Sequence, residues 1–531
     1  MRGAPWTSRG IPYDVESLYN DRGRRGWGAP SAQPWGFPML LGFVLLYWII
    51  SVLIGLVAAF WVKNTADFAV AGRAMPMYVV TATVFATWFG SETVLGIPAT
   101  FLREGLHGVV ADPFGSSLCL ILVGVLFASP LYRKKLLTIG DYYRERYNRT
   151  VEVVTSLCIV VSYLGWVGAQ IKALGLVFNV VSGGEISQTL GMLIGAASIL
   201  IYTLFGGMVS VAITDLIQMV VIMIGMLYIG WEVSGQVGGV AGVVGHAAAA
   251  GKLDFWPSPD IVSVLGFFAA WITMMLGSIP QQDVFQRVMS SKSSRVAVAS
   301  SVLGGSLYFL FAFVPMFLAY AATLIDPSLV NRYLGNDSQL ILPAFIIGHA
   351  PLVAQILFFG ALLSAIKSCA SATLLAPSVT FAENILKPLV PRISDHRFLR
   401  MMQAVVVGFT ALVLVYALNT DASIFKMVEN AYKVTLVAAF VPLAAGVYWK
   451  RANSNGGMVS MFGGLAVWLS MEAFAPGAPV PPQLAGLIAS ILGMIVGSYW
   501  PTPRHRASHE HERPGAQAPN APAARSGSAS A

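Results

Sequence analysis

Residues 360–378 read GALLSAIKSCASATLLAPS. A single charged side chain, Lys367, stands in a run that is otherwise apolar or small. Whether such a run can hold an ammonium group depends on its surroundings. The 531-residue chain is 56% hydrophobic and 11% charged, with a mean hydropathy of +0.69. Soluble domains carry about 25% charged residues, so this composition marks an integral membrane protein. Apolar stretches of about 20 residues, each long enough to cross a bilayer as a helix, recur along nearly the whole length. Backbone polar groups in lipid must be paired internally, and no stretch alternates with the period of a barrel strand, so the spans are helices.

Thirteen spans are expected: 38–62, 76–101, 109–130, 152–179, 187–206, 209–231, 262–280, 302–325, 352–380, 398–418, 425–447, 455–474 and 481–500. Residues 38–500 then form the transmembrane domain, with a core of about 76–447. Residues 1–37 lack an apolar core and read as an arm, disordered or upstream of a true start at Met39. The Pro/Ala/Ser-rich tail 501–531 reads as disordered. Its His505, His509 and His511 fit a solvated tail better than a metal site.

Basic residues cluster on alternate loops. Arg133, Lys134, Lys135, Arg144, Arg146 and Arg149 share one loop, Arg287, Lys292 and Arg295 another, whereas the long connection 232–261 holds only Lys252. Cytoplasmic loops collect Lys and Arg. The expected protein is therefore multi-pass in the inner (plasma) membrane, N-terminus outside and C-terminus in the cytoplasm. The net charge of +8 has the same origin, and with no soluble basic face no nucleic-acid partner is expected. Cys119, Cys158 and Cys369 lie in apolar segments and form no disulfide framework. No soluble nucleophile–base set or metal cluster suggests an enzyme. The partners are a small solute and membrane lipid, and the sequence sets no oligomeric state.

An ionisable residue at bilayer depth marks a functional site by default. Glu92 lies in TWFGSETVLGIP, Lys172 in GAQIKALG, Lys367 in the ninth span and Asp215 in GGMVSVAITDLIQ. Glu429 and Lys433 are spaced to pair along one helix face. Lys172 lies near enough to the outer end of its span to snorkel, and Glu92 has Lys172 or Lys367 as possible ion-pair partners. Gly90, Ser91, Gly96 and Pro98 crowd the outer half of the second span. That pattern fits a broken helix, and transporters use exposed carbonyls at such breaks to hold ions and substrates.

These residues resemble the sodium:solute symporter family. The resemblance runs from about Lys63 to Arg451 and includes GRAMPMYVVTATVFATWFGSETVLGIPATF, TIGDYYRERYNR, GGMVSVAITDLIQMVVIMIG, FQRVMSSKSSRVA and LLSAIKSCASATLLAPSVTFAENIL in the family's order. It implies a leucine-transporter-like five-plus-five inverted repeat, spans two to six against seven to eleven. It also implies a sodium site between spans two and nine, with carbonyls from Ala86, Phe89 and Ala365 and side chains from Ser368 and Cys369. A hard cation prefers oxygen, and Cys369 offers sulfur. The acid that proline-type members carry on this helix aligns with Trp88. Asp215 matches a family acid at the inner end of the ion path.

Lys367 adjoins Ser368. Its ammonium either occupies the ion's place, which favours proton-coupled or sodium-independent transport, or turns about 100° away toward an acid or water. The leading expectation is cation-coupled symport, with sodium as the ion and protons as the alternative, and no bound cofactor. The solute site would combine Gly90, Ser91, Glu92, Gln170, Lys172, Trp271 and Gly277. A transporter-like sensor acting with a partner protein is the other class of function.

Overall fold

The computed structural model describes residues 36–500 except Asn336 and Pro391. Most of the expected arm, and the whole tail with its three histidines, lie outside the described residues. The principal helices are α1 (Gly36–Ala58), α2 (Met77–Trp88), α3 (Ile97–Glu104), α4 (Leu106–Tyr132), α5 (Ile139–Arg146), α6 (Arg149–Val181), α7 (Gln188–Gln236), α8 (Gly239–Ala249), α9 (Ile261–Gly277), α10 (Gln282–Ser290), α11 (Ser294–Ile325), α12 (Leu352–Thr380), α13 (Asp395–Leu418), α14 (Ile424–Tyr448), α15 (Ser454–Phe474) and α16 (Pro482–Tyr499). Among the described residues there is no β-sheet, only one isolated bridge between Met75 and Ser291.

Polar side chains at the loop ends start many of these helices by taking up orphan N–H groups. Asn148 caps α6, Ser187 α7, Asp260 α9, Ser293 α11 and Asn453 α15. Thr138 and Asp141 form a reciprocal capping box on α5.

The fold is an all-α, multi-pass membrane fold. Among the described residues, ten helices are long and apolar enough to cross a bilayer, or eleven if α9 and α10, bent by 42°, form one span. The count of thirteen is not met, for two local reasons. The expected spans 187–206 and 209–231 run end to end as the 49-residue α7, two helical halves that meet at the non-helical Gly207 (φ 47°, ψ −141°) and so count once. A Cβ there would lie 2.5 Å from the Phe68 carbonyl oxygen, so only glycine fits. The expected span 76–101 is divided, because α2 stops at Trp88 and a π-type turn, Glu92–Gly96, leads into α3.

Burial separates centre from periphery. The most apolar window of α12 is 72% buried, that of α15 only 22%. Lys367 therefore sits on the central helix, itself wholly buried. Two expectations about charge are corrected here. Arg287 is not a loop residue; it is buried on α10. Glu429 and Lys433 do not pair with each other. Glu429 meets Lys426 at 2.6 Å and Lys433 meets Glu472 at 3.5 Å, because the helical path is interrupted at Tyr432 between them.

Candidate functional site

The break after α2 is built by its own backbone. Phe89 leaves the helical region (φ −82°, ψ 77°). The Gly90 N–H turns back to the Trp88 carbonyl (3.0 Å) and the Ser91 N–H donates to Gln170 Oε1 (2.9 Å). Neither continues the i→i−4 ladder, so the carbonyls of Ala86 and Thr87 lose their usual donors. Gly90 is needed at this point. A Cβ on it would fall 2.6 Å from Glu92 Oε2 and 2.9 Å from Cys369 Sγ.

Glu92 folds back over that glycine. Its Oε1 accepts from Trp166 Nε1 (3.1 Å) and its Oε2 from Gln170 Nε2 (2.7 Å). Trp166 and Gln170 are one helical turn apart on α6 and present one face to the break. The carboxylate is 2% exposed, and among the described residues no Lys or Arg pairs with it. Trp166 also belongs to an aromatic cluster. Trp88 meets Trp166 edge to face at 5.3 Å and stacks on Tyr432 at 6.3 Å, and Trp166 meets Tyr432 at 5.5 Å. Tyr163 stacks on Trp166 from the other side at 6.0 Å.

A second break, between α9 and α10, stands beside the first. The Gly277 carbonyl accepts from Thr435 Oγ1 (2.7 Å), and Gln281 Nε2 donates to Ser162 Oγ (2.9 Å) and Thr435 Oγ1 (3.3 Å). A Cβ on Gly277 would lie 2.6 Å from the Tyr432 carbonyl oxygen. The hydroxyls of Ser91, Ser278 and Tyr432 are buried without a partner. Buried polar atoms are normally paired, so three orphans around two broken helices mark a place built to receive polar groups.

On α12, Cys369 faces Gly90, and Ser368 Oγ donates to Asp215 Oδ1 at 2.5 Å. Asp215 Oδ2 has no partner. Ala365 is fully buried one turn earlier. Of the residues assigned to an ion, Ser368 thus meets α7 and Cys369 the broken helix that carries Ala86 and Phe89. Lys367 faces elsewhere. Its Nζ donates to Ser51 Oγ of α1 (2.6 Å) and lies over the rings of Trp48 (5.6 Å) and Tyr202 (4.6 Å).

Of the expected solute contacts, Gly90, Ser91, Glu92 and Gln170 come together, and Gly277 adjoins Tyr432. Trp271 instead packs among Phe255, Phe267 and Phe268. Lys172 Nζ donates to the carbonyls of Thr420 (3.1 Å) and Ala422 (2.9 Å), tying down the loop before α14. No Glu92–Lys pair forms.

Sequence reading missed Trp166, Tyr432, Tyr163, Asp283 and Arg287. Arg287 Nη2 reaches Thr87 Oγ1 (2.7 Å) in the last turn of α2, and Nη1 donates to the Asp283 carbonyl (2.9 Å). Tyr163 Oη donates to the Asp283 carboxylate. Only Trp166 carried a legible signal, its one-turn spacing from Gln170.

Residues 68–464 match the model of the sodium:solute symporter family. The chain is 27% identical over 444 residues to the human high affinity choline transporter 1, covering 80% of this chain and 75% of that one. It is 25% identical over 486 residues to the sodium/pantothenate symporter of Haemophilus influenzae, covering 86% and 97%. A Na+-coupled sialic acid symporter, solved substrate-bound and outward-open, superposes with a TM-score of 0.74 at 21% identity, covering 87% of this chain and 96% of that one.

Proposed function

The chain belongs to the sodium:solute symporter family and is a secondary active transporter of a small polar organic solute, and we propose that this solute is an organic cation, a quaternary ammonium of choline's class, driven inward by sodium. One observation carries the choice of solute. Glu92 is a buried carboxylate held by neutral donors, and one of them, Trp166, packs in a cluster with Trp88 and Tyr432. A cation against an aromatic face gains about 2 kcal/mol or more when desolvated. A quaternary ammonium donates no hydrogen bond, so it leaves the Trp166 and Gln170 bonds to Glu92 in place while meeting its charge. A carboxylate solute such as pantothenate would meet like charge there. The relationship to choline transporters from several animals points the same way.

Sodium coupling rests on the α12 face. Ala365, Ser368, Cys369 and the freed Ala86 carbonyl offer mostly hard oxygen, and the Lys367 ammonium is turned to α1 and α7. The rings of the cluster lie against one another, so solute reaches Glu92 only when they part, as alternating access around a central site requires. We read the topology as thirteen passes, with the two halves of α7 counted separately and α2 with α3 as one broken pass. The five-plus-five inverted repeat, the inner-membrane location, the outer N-terminus and the cytoplasmic C-terminus belong to the same reading.

The test is uptake into proteoliposomes of labelled choline, proline and pantothenate, with sodium and proton gradients imposed separately. Choline uptake driven by sodium alone is expected. Pantothenate or proline uptake without choline uptake would overturn the solute, and uptake that follows only the proton gradient would overturn the ion.

A further inference from the structure

Glu92 is not the only buried acid near the broken helix. Asp112, on the outer turns of α4, is 3% exposed and has no place in the site described so far. Its Oδ1 accepts from the hydroxyl of Tyr308 on α11. Tyr308 Oη in turn lies 3.2 Å from Thr93 Oγ1, where either oxygen can donate. Thr93 Oγ1 also reaches the carbonyl of Trp88 at 3.3 Å. Tyr308 and Thr93 are both fully buried. An unbroken line of hydroxyls therefore runs from Asp112 to the last carbonyl of α2. That carbonyl already accepts the Gly90 N–H that makes the break, and its own residue supplies one ring of the cluster that includes Trp166.

We propose that Asp112 is a positioning residue of the transport site, and that the presence or absence of one proton on its carboxylate is relayed through Tyr308 and Thr93 to the helix break at Trp88. The direction follows from counting donors. Each hydroxyl has one hydrogen to give. When Asp112 is ionised, Tyr308 gives its hydrogen to the carboxylate. Thr93 then has one hydrogen for two acceptors, Tyr308 Oη and the Trp88 carbonyl. When Asp112 takes up a proton from solvent, its own O–H donates to Tyr308, Tyr308 donates to Thr93, and the Thr93 hydrogen goes wholly to Trp88. Only the proton at Asp112 is gained; Tyr308 and Thr93 keep theirs and rotate. The extra bond to Trp88 competes with the Gly90 N–H for that carbonyl and shifts the geometry of the break.

The groups facing Asp112 are few. Tyr308 comes from α11, Ser116 from its own helix and, at longer range, Glu92 from the break. The helix α9, packed against Val110–Gly115, contributes no ionisable side chain. The other buried acids, Asp215, Asp283 and Glu152, contact Ser368, Tyr163 and the pair Arg149 and Asn384 instead.

Two independent measurements test this. The first is the KM for choline between pH 5.5 and 8.5 at fixed sodium, and it rests on the solute proposed above. Wild-type KM should change by about fivefold or more across the range, the low end of ordinary coupling between two sites. Asp112→Asn, Tyr308→Phe and Thr93→Val should each flatten the profile. The second is infrared difference spectroscopy of the purified transporter between acid and alkaline pH, with no solute added. A protonated-carboxyl band should appear on acidification, vanish in Asp112→Asn, shift in Tyr308→Phe and persist in Thr93→Val. A wild type that fails to transport choline refutes the solute and leaves the infrared result to judge Asp112. A band unchanged in Asp112→Asn, or a Thr93→Val protein with the wild-type KM profile, overturns the relay.

Discussion

Glu92 and Lys367 are both buried in this membrane protein with neutral partners only, and their surroundings differ in kind. Glu92 stands on an interrupted helix whose carbonyls have lost donors, with unpartnered hydroxyls on Ser91, Ser278 and Tyr432 nearby. Lys367 stands on the unbroken α12. Its Nζ has a hydroxyl from α1 and two ring faces, and Tyr202 Oη donates to its carbonyl (3.1 Å). One turn earlier, Tyr47 and Ser364 make a second bond between α1 and α12. The first environment leaves polar capacity open beside a carboxylate. The second closes around an ammonium and fastens a peripheral helix to the central one. Burial marks both residues alike; the state of the backbone tells them apart.

That comparison is sharpest at Glu92→Gln, which keeps the shape and removes the charge. Solute KM should rise by about 100-fold, the scale of losing a buried charge-assisted contact, with the protein still folded. Normal affinity in this variant would break the comparison at once. Gly90→Ala comes next. Its Cβ must displace the Glu92 carboxylate or the Cys369 thiol, so transport should fall about tenfold, a cost of ~1.4 kcal/mol. Wild-type uptake would show that the carboxylate is not held where the site requires it.

Lys172→Met should act on stability more than on transport. It removes two bonds to the loop carbonyls of Thr420 and Ala422, about 1 kcal/mol each, and should lower the melting temperature in detergent while leaving KM within about threefold. A selective loss of solute affinity would instead return Lys172 to the binding site. Lys367→Met should have the smallest effect. Replacing a buried cation by an apolar chain of similar volume is often neutral or stabilising, and Ser51 Oγ keeps its bond to the Trp48 carbonyl. Melting temperature should hold or rise, and sodium dependence should not change. A switch from sodium to proton coupling in Lys367→Met would make Lys367 a coupling residue and erase the contrast with Glu92.

Much of the site was legible because its signals are local. Gly90, Ser91, Gly96 and Pro98 announced an interruption, and Glu92 beside them announced a polar purpose. Ser368 and Asp215 were each singled out and prove to touch. Trp271 and Lys172 were singled out by residue type and depth alone, and their side chains turn to other partners. Arg287 was counted with loop charges because it neighbours Lys292 and Arg295 in sequence. A 42° bend between α9 and α10 carries it inward instead.

The sequence by itself determined that this chain is a multi-helix membrane protein of the symporter class and where one helix breaks. Transfer of apolar side chains into lipid and the backbone preferences of glycine and proline are decided within a few residues, so they can be read along the chain. Only the tertiary structure decided what Glu92 meets, since Trp166 is 74 residues away and Gln170 is 78. It alone set Lys367 against Ser51, 316 residues distant, and joined two expected spans end to end at Gly207. Partner choice for a buried charge depends on which helices pack side by side and how each is rotated, and that is fixed by the closest packing of the whole bundle rather than by any one segment.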